Sequence, residues 1–320
     1  MASPQGVSSS DPSPGFASSD RLSRVDDAGR AEALSMLLSG RGRADDPAVK
    51  PFLAFAQEHA LRLDELWTLH DGRRLLASAL LVPGVGKTAM LFLSPVPGRT
   101  QVRRIGRLVA RAAVAADPDE VKLVQALLEA DQPLQHAAIE AGGFRHLAEL
   151  IYMQKPAKPG PDLPPVRLDG RLLEAVHWSS DHRPLFAEAI AVSYIDTLDC
   201  PGLLGLRAID DVIAGHMATG RFDPEHWTVW TDAGRPQAVL LLAEAHNGHG
   251  HELVYVGVSP EARGRGLARQ LMRHALHLAG RRAPGQLFLA VDQQNEPALR
   301  LYRGLGFKPS ARKSAWIWTP

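Results

Sequence analysis

Apolar runs recur along this chain at strand length, separated by glycine-bearing turns and longer amphipathic stretches. In the second half, runs at 226–232, 237–245, 251–258, 286–292 and 314–319 predict strands, and stretches at 184–195, 207–219, 264–280 and 296–304 predict helices. The strand over 251–258 feeds a helix and then the strand over 286–292. Such a crossover predicts that these two strands run parallel.

The two halves read as copies of one unit. Residues 139–155 (IEAGGFRHLAELIYMQK) match 302–318 (YRGLGFKPSARKSAWIW): a helix end, a Gly-Phe, a few polar residues and a closing apolar strand. Setting Gly143-Phe144 on Gly306-Phe307 gives an offset of 163 residues. The same shift sets Pro97 on Pro260 and the apolar run 75–82 on 238–245. It also sets PGVGKT (83–88) on HNGHGH (246–251), both short glycine-bearing turns between strands. Gly86, Lys87 and Thr88 imitate the end of the nucleotide-binding loop G-x-x-x-x-G-K-[ST]. Leu81 stands where the first glycine belongs, however, and a strand-type run follows where a helix should start. The stretch reads as a hairpin turn, and the nucleotide-hydrolase reading loses its basis.

Between the copies, the stretch PAKPGPDLPP (156–165) is too proline-rich for a helix or an interior strand and predicts a stiff, extended linker. The expected layout is a disordered tail over 1–20, a first unit over 21–155, the linker over 156–165 and a second unit over 166–320. The fold class is α+β.

Composition narrows the function classes. A net charge of +1 gives no strong field toward nucleic acid or anionic lipid, so neither is expected as a partner. Cys200 is the only cysteine, which excludes an intrachain disulfide and points to a reducing, cytoplasmic setting. Residues 1–20 lack the basic start and apolar core of a secretory signal, and no apolar run is long enough to cross a bilayer. His246, His249 and His251 cluster in a turn without cysteine or acidic ligands at regular spacing, so no metal is expected.

The sharpest chemical signal is HELVYVGVSPEARGRGLARQLMRHAL (251–276). An apolar strand ends at Val258, a short loop carries Arg263, Gly264, Arg265, Gly266, Leu267 and Ala268, and a helix begins. Outward-pointing N–H groups and the helix dipole make such a junction a receptor for a pyrophosphate, with Arg263, Arg265 and Arg269 adding charge. The run resembles the signature Q/R-x-x-G-x-G/A of the GCN5-related N-acetyltransferase (GNAT) superfamily, matched by Arg263, Gly266 and Ala268. VDQQNEPALRLYRGLGF (291–307) is similar to its second motif.

The resemblance implies two tandem GNAT-like domains, each a mixed, mostly antiparallel twisted sheet flanked by helices. It implies acetyl-CoA or another acyl-CoA as cosubstrate. The cosubstrate's pyrophosphate would lie on 263–268, and its arm would pair with the strand at Val256, Gly257 and Val258. By the same likeness Glu252 is the general base that frees the amine, and Tyr302 the acid that protonates the departing sulfur. Asn295 either binds the cofactor arm or caps the helix that Pro297 helps to start.

At the same offset the first half has Ala89 for Glu252, Thr100 for Arg263, Gln101 for Gly264, Arg103 for Gly266, Ile105 for Ala268 and Ile139 for Tyr302. It reads as a degenerate copy with a structural task, perhaps walling the acceptor site. One active and one degenerate unit is a layout similar to that of the mycothiol synthases. The acceptor is expected to meet residues 193–224, where Asp196, Asp199, Asp210 and Asp211 suit a cationic amine and Tyr194 and Trp227 line a pocket or join the core. The leading expectation is an N-acetyltransferase, monomeric or homodimeric, acting on a primary amine by direct attack in a ternary complex. The alternatives are an acetyltransferase of a small aminothiol and a non-catalytic sensor of acyl-CoA.

Overall fold

The computed structural model describes residues 20–245, 248, 250–281 and 285–320. The expected tail, but for Asp20, and the histidines at 246 and 249 lie outside the described residues. The first copy comprises β1 (Asp20–Arg24), α1 (Arg30–Ser39), α2 (Val49–Glu58), β2 (Glu65–Asp71), β3 (Arg74–Gly84), β4 (Thr88–Leu93), α3 (Val102–Val114), β5 (Leu123–Glu129), α4 (Pro133–Ala141) and β6 (Arg145–Ala157). Then follow β7 (Arg167–Leu168), β8 (Arg171–Leu172), β9 (Glu174–His177), α5 (Arg183–Ser193), α6 (Ile209–Met217), β10 (Arg221–Asp232), β11 (Arg235–Glu244), β12 (Gly250–Val258), α7 (Leu267–Gly280), β13 (Gly285–Asp292), α8 (Glu296–Gly304) and β14 (Lys308–Trp318).

Twelve of these strands form one sheet in the order β1-β2-β3-β4-β5-β14-β6-β13-β12-β11-β10-β9. It is antiparallel except at β4–β5 and β12–β13. The order shows an exchange: β6, from the first copy, lies against β13 along Leu150–Ala157, and β14, from the second, lies against β5 along Lys313–Trp318. The two exchanged strands pair with each other at the seam. The hydrophobic cores are exchanged with them. Trp316 of β14 joins the core between α3, α4 and the first copy's strands, while Ile151, Met153 and Ala157 of β6 join the core beneath α7 and α8. On the other face, α1 and α2 cover β2 and β3, and α5 and α6 cover β10 to β12.

The helices follow from their stripes. In α7 the buried Leu267, Leu271, Met272, Ala275 and Ala279 recur at helical spacing on one face. The helix starts at Leu267, three residues later than the sequence suggests, because Gly264 (φ 73°) and Gly266 (φ 82°) are left-handed and break the helical path. The closing strand starts at Lys308, earlier than expected, because β6 carries its ladder back to Gln154. Beyond Gln154 only β13 flanks β6, which leaves an edge where Pro156 can sit without a donor. PGVGKT is the turn between β3 and β4, with Gly86 and Lys87 at positive φ. That turn docks on the second copy: a Cβ at Gly86 would stand 2.2 Å from the Asp211 carbonyl oxygen, and Arg207 Nη1 donates to Gly86 O at 2.9 Å.

Candidate active site

β12 positions the site. It pairs with β11 from His251↔Glu244 to Val258↔Ala238, with a bulge at Val254, since Leu241 faces Tyr255 and Leu242 faces Leu253. Its parallel pairing with β13 runs only from Gly250↔Gln286 to Glu252↔Phe288, after which the strands part. A bulge sharpens twist and bends its strand, which is how one side of β12 leaves its neighbour. Residues 253–258 therefore have β11 on one side and, among the described residues, no strand on the other. Such an edge offers backbone donors and acceptors to an extended ligand.

Past Val258 a 3₁₀ turn at Pro260–Ala262 leads to Gly264 and Gly266, and α7 begins without a side-chain cap. The N–H groups of Leu267, Ala268 and Arg269 have no intrahelical acceptor, and the dipole makes this end electropositive. A Cβ at Gly264 or Gly266 would meet nothing within 4 Å, so the space above the loop is open. The residues here can hold a pyrophosphate.

Two of the three expected arginines do other work. The Arg263 guanidinium donates to the carbonyls of Val258, Ser193, Ile195 and Asp196, binding the end of α5 to the end of β12. Arg265 pairs with Asp169 and donates to Glu261 O. Arg269 stays exposed beside α8. Gly257 has a packing reason of its own: a Cβ there would stand 2.3 Å from Ser193 Oγ of α5.

Leu253 enters the α7–α8 core, so Glu252 turns to the opposite face, half-buried beside the departure of β13. Tyr302 belongs to the α7–α8 core, its ring centroid 5.8 Å from that of Phe307. Burial, and then the negative charge of Asp199, push its phenol well above the usual tyrosine range. Glu252 and Tyr302 thus approach from opposite faces of the sheet. Asn295 caps α8: its Oδ1 accepts from Ala298 N at 3.3 Å.

The segment between α5 and α6 is clasped from three sides. Arg263 holds its start. Asp292, at the end of β13, accepts Cys200 N–H through Oδ2 at 3.2 Å, and Asp292 N donates to Asp199 Oδ1 at 3.1 Å. Arg145 of β6 donates to Gly202 O at 3.0 Å. Burial raises the Asp199 carboxyl, although its side chain keeps contact with solvent, which describes a group in an open cleft. Tyr255 packs between Tyr194 and His216 and shares a hydrogen bond with Ser193 at 2.8 Å. Burial and then the Arg207 charge lower His216 to about 4, and its buried Nε2 has no hydrogen-bond partner among the described residues.

Of the expected acceptor residues, Trp227 is wholly buried in the α5–α6 core and Asp210 pairs with Arg183. Asp292, Ser193 and Tyr255 were missed, although Tyr255 and Asp292 both lie within the quoted motifs. His251 lies in β12, its ring 5.0 Å from that of His226. Among the described residues no group of three or more His, Cys, Asp or Glu side chains is arranged to hold a metal.

Residues 186–307 match the model of the acetyltransferase (GNAT) family. The chain belongs to the GNAT superfamily. This acetyltransferase is 29% identical over 290 residues to a protein named mycothiol acetyltransferase from Nocardia farcinica, covering 88% of this chain and 91% of that one. A protein of the same name from Clavibacter sepedonicus is 26% identical over 319 residues, covering 94% and 96%. In fold it resembles the GCN5-related N-acetyltransferase of Sphaerobacter thermophilus, with a TM-score of 0.60 and 17% identity over 95% of this chain and 97% of that one. The GNAT acetyltransferase is an enzyme of the N-acetyltransferase type whose family implies acetyl-CoA as cosubstrate. No helix among its described residues is long and apolar enough to cross a membrane.

Proposed function

We propose that the second copy acetylates the amine of a small aminothiol with acetyl-CoA, by direct attack in a ternary complex. One observation carries this reading: the open edge of β12 runs straight into an uncapped helix start shaped by two left-handed glycines. The near full-length likeness to two proteins named mycothiol acetyltransferase favours an aminothiol over an unspecified amine. The layout over 21–155, 156–165 and 166–320, as scaffold, linker and catalytic unit in the cytoplasm, belongs to the same proposal.

Acetyl-CoA supplies the thioester. Main-chain groups at Val256, Gly257 and Val258 pair with its extended arm as an added strand would. N–H groups from Gly264 to Ala268 receive its pyrophosphate. Arg263 acts by locking the loop to α5. The Asn295 amide nitrogen, free of the cap made by its Oδ1, faces the arm. Glu252 takes the proton that the attacking amine sheds, directly or through a water. Tyr302 donates its proton to the departing sulfur, and the burial that raises its pKa keeps it protonated at neutral pH.

Mass spectrometry of a mixture with acetyl-CoA and desacetylmycothiol tests this. The expected product carries one acetyl group on nitrogen, and Glu252→Gln suppresses it. Acetyl-CoA bound by calorimetry, but transferred to no amine in a panel, would instead make the protein a sensor.

A further inference from the structure

The exchanged strand carries a first-copy residue to the edge of the second copy's site. On β13, Phe288 pairs with Glu252 of β12 on one side and with Gln154 of β6 on the other. Two residues further along β13, Ala290 pairs with Tyr152 of β6, which in turn faces Ala311 of β14. Side chains two apart on a strand share a face. Ile151 and Met153 enter the core beneath α7 and α8, so Tyr152 looks to the opposite face, the one Glu252 occupies. The row of Tyr152 lies on the side of Phe288 where β12 has already departed, so the phenol stands beside the gap. Its neighbours in the row, Ala290 and Ala311, are too small to cover it, and the side chain is half-buried.

We propose that Tyr152 is an acceptor-binding residue of the second copy's site, holding the substrate amine beside Glu252. The inference rests on the proposed acetyltransfer at that site. An amine attacking a thioester has two N–H bonds and one lone pair to orient. A phenol oxygen accepting one N–H and the Glu252 side accepting the other direct the lone pair at the carbonyl carbon. Burial first, and then the Glu252 and Glu129 carboxylates, raise the phenol pKa, so it meets the amine as a neutral hydroxyl. The first copy, whose own loop has lost the phosphate-binding glycines, would then contribute directly to turnover.

Steady-state kinetics of full-length Tyr152→Phe with acetyl-CoA and desacetylmycothiol tests the proposal. The expected result is a rise of about tenfold in the acceptor KM, the size of one hydrogen bond. The acetyl-CoA KM and the melting temperature should stay unchanged, because the ring is retained. Calorimetry of desacetylmycothiol binding should weaken by the same factor. If Tyr152→Phe leaves the acceptor KM unchanged while Glu252→Gln suppresses turnover, the inference falls and the proposed reaction stands. A lowered melting temperature, or equal changes in both KM values, would make Tyr152 structural and also overturn it. Full turnover in Glu252→Gln, or no binding and no turnover of the probe by the wild type, would remove the reading beneath it.

Discussion

At the scale of single residues, the site depends on groups with one task each. Tyr302→Phe keeps the packing against Phe307 and removes only the proton. It should lower kcat by about 10²–10⁴-fold while the acetyl-CoA Kd from calorimetry stays the same. Gly266→Val forces a β-branched residue into a φ of 82° at the N-cap of α7. It should weaken acetyl-CoA at least about tenfold, equivalent to roughly 1.4 kcal/mol; unchanged affinity would move the phosphate site elsewhere. Glu252, Tyr302 and the glycines were legible because their positions in a strand–loop–helix run limit their chemistry. The Arg263 side chain was not. Three of its four acceptor carbonyls lie at Ser193, Ile195 and Asp196, on a helix end that local sequence does not connect to the loop. Asn295 was legible as a cap, since a proline two residues on predicts one.

At the scale of elements, the periodicity gave nearly every strand and helix of the second copy, and the duplicated turn explained PGVGKT. The exchange of β6 and β14 was invisible, because strand order depends on pairing between segments far apart and either partner suits the same apolar alternation. The exchange makes a direct prediction. Trp316 lies in the second copy yet packs in the first copy's core, so Trp316→Ala should destabilise the first copy. The loss should be about 3–5 kcal/mol, read by urea melts, with hydrogen exchange loosening in α3 and β5 more than in α7. Expressed alone, residues 166–320 lack β6, which leaves β13 without the neighbour it holds along its whole length. That fragment should aggregate or bind a supplied 145–157 peptide; a stable, monomeric fragment would contradict the role given to β6.

At the scale of the whole molecule, buried histidines set the response to acid. His216 and His274 are both lowered to about 4 from 6.5, chiefly by burial, with Arg207 adding to the first and His277 and His177 to the second. Between those values the unfolded chain binds protons that the folded chain refuses, so stability is full above about 6.5 and falls as pH drops toward about 4. Urea midpoints measured across this window should show the decline, and His274→Phe, which keeps an aromatic ring against Trp230, should flatten it. A slope unchanged in that variant would assign the acid response to other groups.

The interleaved order of β5, β14, β6 and β13 also bears on how the protein is made. On the ribosome, the first copy emerges with β5 still awaiting β14, and β6 must stay unpaired until the second copy is nearly synthesised. Neither half can close before β14 clears the exit tunnel, so the nascent chain exposes two sticky strands for most of its translation. That delay makes chaperone capture during synthesis a cost of binding the two copies into one sheet.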